Sequence, residues 1–131
     1  MYYYVRCNDN HDFEFYSFSS KKDFLESFND IEDVKFNSFE SAVDAIPNLA
    51  DWAEVSTSLY YIASLFNYRL NEAVHNYHKG DDDDAEIIGH RVLDFLNQKK
   101  VFLDYYCDND KKRRAKLSAM INFDPDYENN F

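Results

Sequence analysis

The stretch YYYVRCNDNHDFEFYSF, residues 2–18, decides the fold class of this chain. Residues 2–6 are three tyrosines, a valine and an arginine, a composition with strong strand propensity. Residues 13–18 contain three phenylalanines flanked by polar residues. The tripeptide Asn8-Asp9-Asn10 between the two runs is typical of a turn. We therefore expect strands over residues 2–7 and 13–18, paired as an antiparallel hairpin.

Helix signals follow the hairpin directly. Ser20, with an acidic residue three positions later, is a weak capping box and predicts a helix over about residues 20–28. Residues 31–36 are predicted to form a third strand. Ser38 then caps a second helix, whose apolar residues recur at helical spacing until Pro47 ends it.

The rest of the chain has mainly helical patterns. Apolar residues recur at helical spacing from residue 49 to residue 79, in one helix or in several. Further helices are expected after the four aspartates at 81–84 and over residues 111–121. Residues 101–106 suit either a strand or a helix.

These elements together predict an α+β fold. A small N-terminal β-hairpin or three-stranded sheet should be followed by a mainly helical bundle. The length fits one domain over residues 1–131, with a β-rich part at 1–47 and a helical part at 48–131.

The chain is strongly acidic, and its charge is unevenly distributed. There are 25 acidic residues against 14 basic ones, a formal net charge of −11. From Asp23 to Glu54, nine carboxylates stand against one base, Lys35. The same stretch contains phenylalanines, aliphatic residues and a tryptophan, an apolar content that disordered acidic tails lack. We therefore expect it to fold and to hold its carboxylates at fixed surface positions.

Carboxylates at three- or four-residue spacing suggest a use for this surface, because such pairs lie about 5–6 Å apart on a helix. The pairs are Asp23/Glu26, Glu40/Asp44 and Asp51/Glu54. A face of this kind can present DNA-like charge to a basic groove and gain from counterion release. A solvated surface that only aids solubility is an alternative, and so is another role in binding a partner. The expected partner-binding residues are Asp23, Glu26, Asp30, Glu32, Asp33, Glu40, Asp44, Asp51, Glu54, Asp81, Asp82, Asp83 and Asp84.

One basic cluster interrupts the acidic composition. Seven bases and three acids lie between Lys99 and Lys116. We expect this cluster to pair with acidic faces, within the fold or in a second subunit, and not to bind nucleic acid directly. A two-fold homodimer would pair such patches reciprocally. Phe102, Tyr105 and Tyr106 are the expected dimer-interface residues, with packing inside their own monomer as the alternative.

No residue pattern points to a metal, a cofactor or a catalytic centre. The aspartates at 81–84 lack the spacing of a calcium loop and are better explained by the start of a helix. His75 and His78 lie three positions apart without a zinc motif around them, and we expect two surface histidines. Nucleophile, phosphate-loop and paired-cysteine motifs do not occur. We therefore expect no cofactor, no metal site and no enzymatic activity.

Cysteine use and hydropathy favour a cytoplasmic protein. Cys7 and Cys107 show no paired spacing, which is typical of a reduced protein. The longest uncharged run, residues 55–68, is shorter than the ~20 apolar residues of a membrane-spanning helix. We expect no membrane contact.

In the arrangement of these elements, the chain resembles the ArdA antirestriction family, acidic DNA mimics that inhibit type I restriction–modification enzymes. The similar features are a tyrosine-rich first strand, a helix like Lys21–Phe28, the helix opening Ile46–Trp52, and Asp82-Asp83 before a helix like Ala85–Asn97. Leu117–Asp124 falls where that family has a Leu-x-x-Tyr-Ile-Asp-Tyr-type segment, with Asn122 in place of the acid. The resemblance implies an elongated homodimer whose carboxylates trace a bent duplex, and it implies no catalytic residue.

Charge and resemblance together lead to one expected function and three alternatives. The expected function is stoichiometric inhibition of a nucleic-acid-binding host defence enzyme of the restriction–modification type, by occupation of its basic DNA groove. The protein would then come from a phage or another mobile element and act in the cytoplasm of a bacterial host cell. The alternatives are an anti-CRISPR inhibitor with the same electrostatics, an immunity or antitoxin-like module against a basic toxin, and a small hydrolase without a recognisable motif.

Overall fold

The computed structural model describes residues 1–8 and 12–127 and confirms the α+β fold class. A three-stranded antiparallel sheet is built from the N-terminal part, and the described residues contain five α-helices. The chain forms two compact units, Met1–Ile62 and Ala63–Phe131. Most of the predicted turn at Asn8-Asp9-Asn10 lies outside the described residues.

The first unit is built on the predicted hairpin. Strand β1 (Tyr2–Cys7) pairs antiparallel with β2 (Phe13–Phe18), and Tyr4 lies opposite Tyr16. On its other edge β1 pairs with β3 (Trp52–Ser56), which gives the strand order β2-β1-β3. Because side chains alternate along a strand, Tyr4 and Tyr16 lie on the same face of the sheet.

Two helices with the predicted caps pack on that face. The Ser20 side chain caps α1 (Lys21–Glu32), and the Ser38 side chain caps α2 (Phe39–Ala45). Phe24 and Phe28 of α1 are fully buried and stack on one another, with ring centroids 5.1 Å apart. The Tyr4 ring meets the Phe28 ring edge-on at 5.5 Å. Aromatic contacts therefore fix the position of α1 on the sheet.

The predicted strand over residues 31–36 is wrong. Helix α1 continues through Glu32, and Asp33 adopts a left-handed conformation with φ of 51°. The Asn29 side chain then donates to the Phe36 carbonyl at 3.0 Å and accepts from the Phe36 N–H at 3.1 Å. These two hydrogen bonds satisfy both backbone groups of Phe36 without a partner strand.

The third strand lies at Trp52–Ser56 instead, in a segment that the sequence assigns to a helix starting at residue 49. A short 3₁₀ helix, Ile46–Asn48, contains Pro47 and leads into it. Five residue pairs join β3 to β1. These long-range pairings override a local pattern that also suits a helix.

The second unit is helical. It contains most of α3 (Leu59–Tyr77), all of α4 (Ala85–Cys107) and α5 (Lys111–Met120). Residues 101–106, for which the sequence leaves strand or helix open, belong to α4. Phe66 and Phe102 stack between α3 and α4 with ring centroids 4.5 Å apart.

The segment after α5 is held against α3 by side-chain amides. The buried Asn71 donates to the carbonyl of Asn122 at 3.0 Å and accepts from the N–H of Asp124 at 2.7 Å. The Asn67 side chain accepts from the N–H of Asn122 at 2.8 Å. These bonds position residues 122–127 without regular secondary structure. Within the described part of the chain, every helix is too short or too polar to cross a membrane.

Candidate partner-binding surface

Helix α1 carries the best-ordered row of carboxylates. Asp23, Glu26 and Asp30 are exposed and lie at positions i, i+3 and i+7, which places them on one side of the helix. The buried Phe24 and Phe28 lie on the opposite side. The sheet-packing side of α1 thus forces this row to face the solvent.

Helix α2 adds a second pair, Glu40 and Asp44, at i, i+4 spacing and exposed. The buried Ala42 lies on the other side of the helix. We call Asp23, Glu26, Asp30, Glu40 and Asp44 the acidic surface. Helices α1 and α2 contact each other and share the same apolar core, so both sets of carboxylates lie on the solvent side of one helical layer.

One lysine, Lys21, lies close enough to the acidic surface to reduce its charge. Lys21 Nζ lies 3.7 Å from Glu40 Oε1 and 5.0 Å from the centre of the Phe39 ring. Both partners of the ion pair are well exposed, so the contact is worth little. Among the described residues, Glu26, Asp30 and Asp44 form no ion pair. The acidic surface therefore keeps most of its charge.

Two other predicted carboxylates of the first unit stay exposed. Asp33 lies at the C-terminal cap of α1, and Asp51 lies just before β3. The predicted helical pairing of Asp51 with Glu54 is wrong, because Glu54 belongs to a strand. Glu54 is also only partly exposed, and burial raises the pKa of its carboxyl.

Glu32 is the clearest correction to the predicted partner-binding set. Its side chain is only 5% exposed, and its Oε1 lies 2.7 Å from Arg6 Nε. The Tyr4 hydroxyl donates to the same oxygen at 2.7 Å. Arg6 also pairs with Glu14 of β2 at 3.3 Å, and the Tyr16 hydroxyl donates to Glu14 at 2.8 Å. Glu32 therefore ties α1 to the sheet and offers no surface to a partner.

The four predicted aspartates of the second unit mainly organise the start of α4. Asp84 is the N-cap and accepts from the N–H of Glu86 at 2.9 Å. Asp81 accepts from the N–H of Asp83 at 2.9 Å. Asp82 pairs with Arg91 at 2.8 Å. All four residues are exposed, and the helix-start interpretation made from the sequence is confirmed for Asp84.

The predicted dimer-interface residues differ in exposure. Phe102 and Tyr106 are buried within the chain, so they have almost no side-chain surface for a second copy. Tyr105 is 47% exposed. An interface prediction on α4 consequently rests on Tyr105, together with the exposed Leu96 and Val101 of the same helix.

The basic segment is partly neutralised by its own acids. Asp104 pairs with Lys100 and with Arg114, each at 2.7 Å, and their hydrogen bonds lower the pKa of its carboxyl. Among the residues described, Lys112 and Lys116 on α5 form no ion pair. The expected pairing within the fold is thus met only in part.

The two histidines occupy different environments. His75 is buried, contrary to the surface position expected for it, and its Nδ1 lies 2.8 Å from the carbonyl oxygen of Asn71. His78 pairs with Asp94 through Nε2, and its ring stacks on that of His90. Within residues 1–8 and 12–127, no group of three or more potential ligands is arranged to hold a metal ion.

The net charge of the chain is concentrated in one of the two units. Residues 1–62 contain twelve carboxylates and four basic side chains, a net charge of −8. Residues 63–131 contain thirteen and ten, a net charge of −3. The first unit is accordingly the one suited to a basic partner. No family model, no curated protein and no solved structure matches this chain.

Proposed function

We propose that this protein is an acidic, non-enzymatic inhibitor that occupies the basic DNA groove of a bacterial defence enzyme of the restriction–modification type. The observation that carries the proposal is the acidic surface, five exposed carboxylates on the outer sides of α1 and α2. The resemblance to the ArdA family points to the same function. Inhibition is stoichiometric, because the protein acts by occupying the groove.

The spacing of the α1 carboxylates supports a comparison with DNA. Asp23 and Asp30 are seven residues apart, which is about 10 Å along a helix that rises ~1.5 Å per residue. Three charges over that length give one charge per roughly 5 Å, against ~3.4 Å per phosphate along one DNA strand. A groove lined by lysine and arginine at phosphate spacing therefore meets a comparable series of charges.

Repulsion between the carboxylates of the acidic surface destabilises the free protein, and a purely structural role does not explain why they are there. Like charges at i, i+3 and i, i+4 destabilise a helix by ~0.2–0.5 kcal/mol per pair. The described structure offers only Lys21 as a close counter-charge to the acidic surface. A basic partner removes this repulsion on binding, so the charges favour the complex over the free protein.

The proposal predicts a collective electrostatic interaction with a type I restriction–modification enzyme. The fourfold variant Glu26→Gln, Asp30→Asn, Glu40→Gln and Asp44→Asn should bind roughly 30-fold more weakly, at about 0.5 kcal/mol per exposed contact. DNA cleavage and displacement of fluorescent DNA from the enzyme measure the effect. Binding should also weaken as salt rises, because the Debye length shrinks from ~10 Å at 0.1 M to ~3 Å at 1 M.

A matched pair of double variants separates the acidic surface from net charge. Glu26→Gln with Asp30→Asn and Glu86→Gln with Asp108→Asn make the same chemical changes, and only the first pair lies on the acidic surface. The first should weaken inhibition and the second should not. Equal effects, or failure to displace DNA, would contradict the proposal. Displacement of nucleic acid from a CRISPR effector alone, or neutralisation of a basic toxin alone, would assign the surface to those targets instead.

A further inference from the structure

Helix α5 is the most basic element of the described chain, because its ten residues contain five bases and no acid. Two of these bases have partners within the second unit. Arg114 pairs with Asp104 at 2.7 Å, and Arg113 Nε lies 3.9 Å from a carboxylate oxygen of Asp110. The other three bases are exposed and form no ion pair among the described residues. They are Lys111, Lys112 and Lys116.

These unpaired lysines lie on the solvent side of α5. Leu117 is the buried residue of this helix and marks the side that packs inward. Lys112 and Lys116 are four residues apart, so they lie on one side of the helix, away from Leu117. At a rise of ~1.5 Å per residue, they are separated by ~6 Å along the helix axis. The outer side of α5 therefore carries positive charge that the described residues of its own unit do not pair.

The acidic surface offers the opposite charge at the same spacing. Glu26 and Asp30 are exposed on α1 and are also four residues apart, which gives the same ~6 Å along the axis. Asp23 extends this row by one turn. On α2, Glu40 is less suited to a new partner, because Lys21 Nζ already lies 3.7 Å from its Oε1. Two helices lying side by side can therefore place the two lysines of α5 opposite Glu26 and Asp30.

Duplex DNA also carries charge that suits α5, but the rest of the chain opposes it. DNA is negative along its whole length, with one charge per ~1.7 Å. The second unit keeps a net charge of −3 even with α5 included, and the first unit carries −8. A second copy of the chain carries both signs on separate surfaces, so its acidic surface can meet α5 while its other surfaces stay in solvent. Charge complementarity therefore favours a second copy over nucleic acid.

We propose that α5 of one copy docks on the acidic surface of a second copy, with Lys112 and Lys116 facing Glu26 and Asp30 of α1. The contact covers carboxylates that a basic partner would also use, so self-association and binding of such a partner exclude each other. The proposal needs only the two charged surfaces and does not depend on the inhibitor function. It is also separate from any contact through the exposed apolar residues of α4.

Charge reversal on each side of the contact tests this proposal on the full chain. Lys112→Glu with Lys116→Glu makes α5 acidic, and Glu26→Lys with Asp30→Lys makes the α1 row basic. Either variant alone places like charges face to face, so its self-association should weaken at least about tenfold, because two exposed ion pairs become two repulsions. In an equimolar mixture opposite charges face each other again, and the affinity should return to within about threefold of that of the unmodified protein.

Contacts between exposed charges are weak, so the affinities are measured by ¹H–¹⁵N NMR at rising protein concentration. The amide signals of residues 23–30 and 111–119 should shift together as the unmodified protein is concentrated. Both variants leave the apolar residues of α4 unchanged, so any association through α4 contributes equally to every sample. Absence of these shifts would overturn the proposal, as would a mixture that associates no more tightly than either variant alone.

A control variant separates the α5 contact from net charge. Lys35→Glu with Lys79→Glu makes the same chemical change at exposed lysines outside α5 and should self-associate like the unmodified protein. Equal weakening by this control and by the α5 variant would refute the assignment of Lys112 and Lys116. Duplex DNA that shifts the signals of residues 111–119, when protein concentration alone does not, would make α5 a nucleic-acid surface and likewise overturn the proposal.

Discussion

Arg6 lies where three elements of the first unit meet. It contacts Glu14 of β2 at 3.3 Å and Glu32 of α1 at 2.7 Å, while its own backbone belongs to β1. Its side chain is 15% exposed, so the charge has lost much of its hydration. Removing one carboxylate from such a pair leaves a charge without full compensation, and that is more damaging than losing the contact alone.

We therefore expect Glu32→Gln to lower the free energy of unfolding by about 2–3 kcal/mol, which is less than the ~3–5 kcal/mol for breaking a buried pair because Glu14 still pairs with Arg6. Glu26→Gln, a chemically identical change six positions earlier on α1, should alter it by less than about 0.5 kcal/mol. Urea unfolding followed by circular dichroism measures both. Similar stabilities for the two variants would show that Glu32 does not tie α1 to the sheet.

Tyr16 of the same network makes the free energy of unfolding depend on pH in the alkaline range. Burial, followed by the hydrogen bond to Glu14, raises the pKa of Tyr16 from 10.0 to about 12. Between these values the unfolded chain releases a proton that the folded chain retains, so the free energy of unfolding falls as pH rises from 10 to 12. Tyr16→Phe should show a smaller loss between pH 9 and pH 11.5 than the unmodified protein. The exposed Tyr61 offers the control: Tyr61→Phe should keep the full loss.

At the scale of elements, the sequence correctly predicts helices and strands where it contains helix-capping residues or a clear pattern of apolar residues. Ser20 and Ser38 correctly predict the starts of α1 and α2, and the phenylalanines flanked by polar residues over 13–18 correctly predict β2. The third strand was missed because its stability comes from pairing with β1, about 50 residues earlier in the chain. The strand predicted over residues 31–36 is replaced by a turn, in which the Asn29 side chain makes two hydrogen bonds to the backbone of Phe36.

The candidate site was predictable to the same extent as the helices that carry it. Asp23 and Glu26 could be assigned to one side of α1 from spacing alone, whereas Asp30 lies beyond the predicted end of that helix at about residue 28. The role of Glu32 could not, because its partner Arg6 is distant in sequence. Arg91 gave no local signal either: its burial follows from the path of the loop before α4, and no periodicity encodes that path.

The acidic row on α1 should cost stability in the free protein. Glu26→Gln with Asp30→Asn removes repulsion along the helix and should raise the free energy of unfolding by a few tenths of a kcal/mol at low salt. The gain should vanish near 1 M salt, where charges are screened within ~3 Å. Thermal unfolding at both salt concentrations tests this, with Glu86→Gln and Asp108→Asn as the control pair. A loss of stability at low salt would mean that these carboxylates make favourable contacts in the free protein.

At the scale of the whole molecule, the net negative charge is concentrated in the first unit, and one helix of the second unit exposes a group of large apolar side chains. The first unit carries a net charge of −8, and the second carries −3 with a basic helix α5. Helix α4 of the second unit also exposes Leu93, Leu96, Val101 and Tyr105. Four large apolar side chains exposed on one helix are typical of a surface that is covered in an assembly.

The proposed cover is a second copy of the chain. A two-fold pairing would bring α4 against α4 of the second copy. The same exposed apolar residues would then be covered in both copies. Light scattering at micromolar concentration should give twice the monomer mass of 15.6 kDa. Tyr105→Asp should return the mass to 15.6 kDa without unfolding the chain, because Tyr105 is half exposed whereas Phe102 and Tyr106 form the buried side of the helix. Tyr60→Asp, an equal change at an exposed position of α3, should leave the dimer intact. A monomer mass for the unmodified protein at high concentration would exclude the dimer and leave α4 free for a different partner.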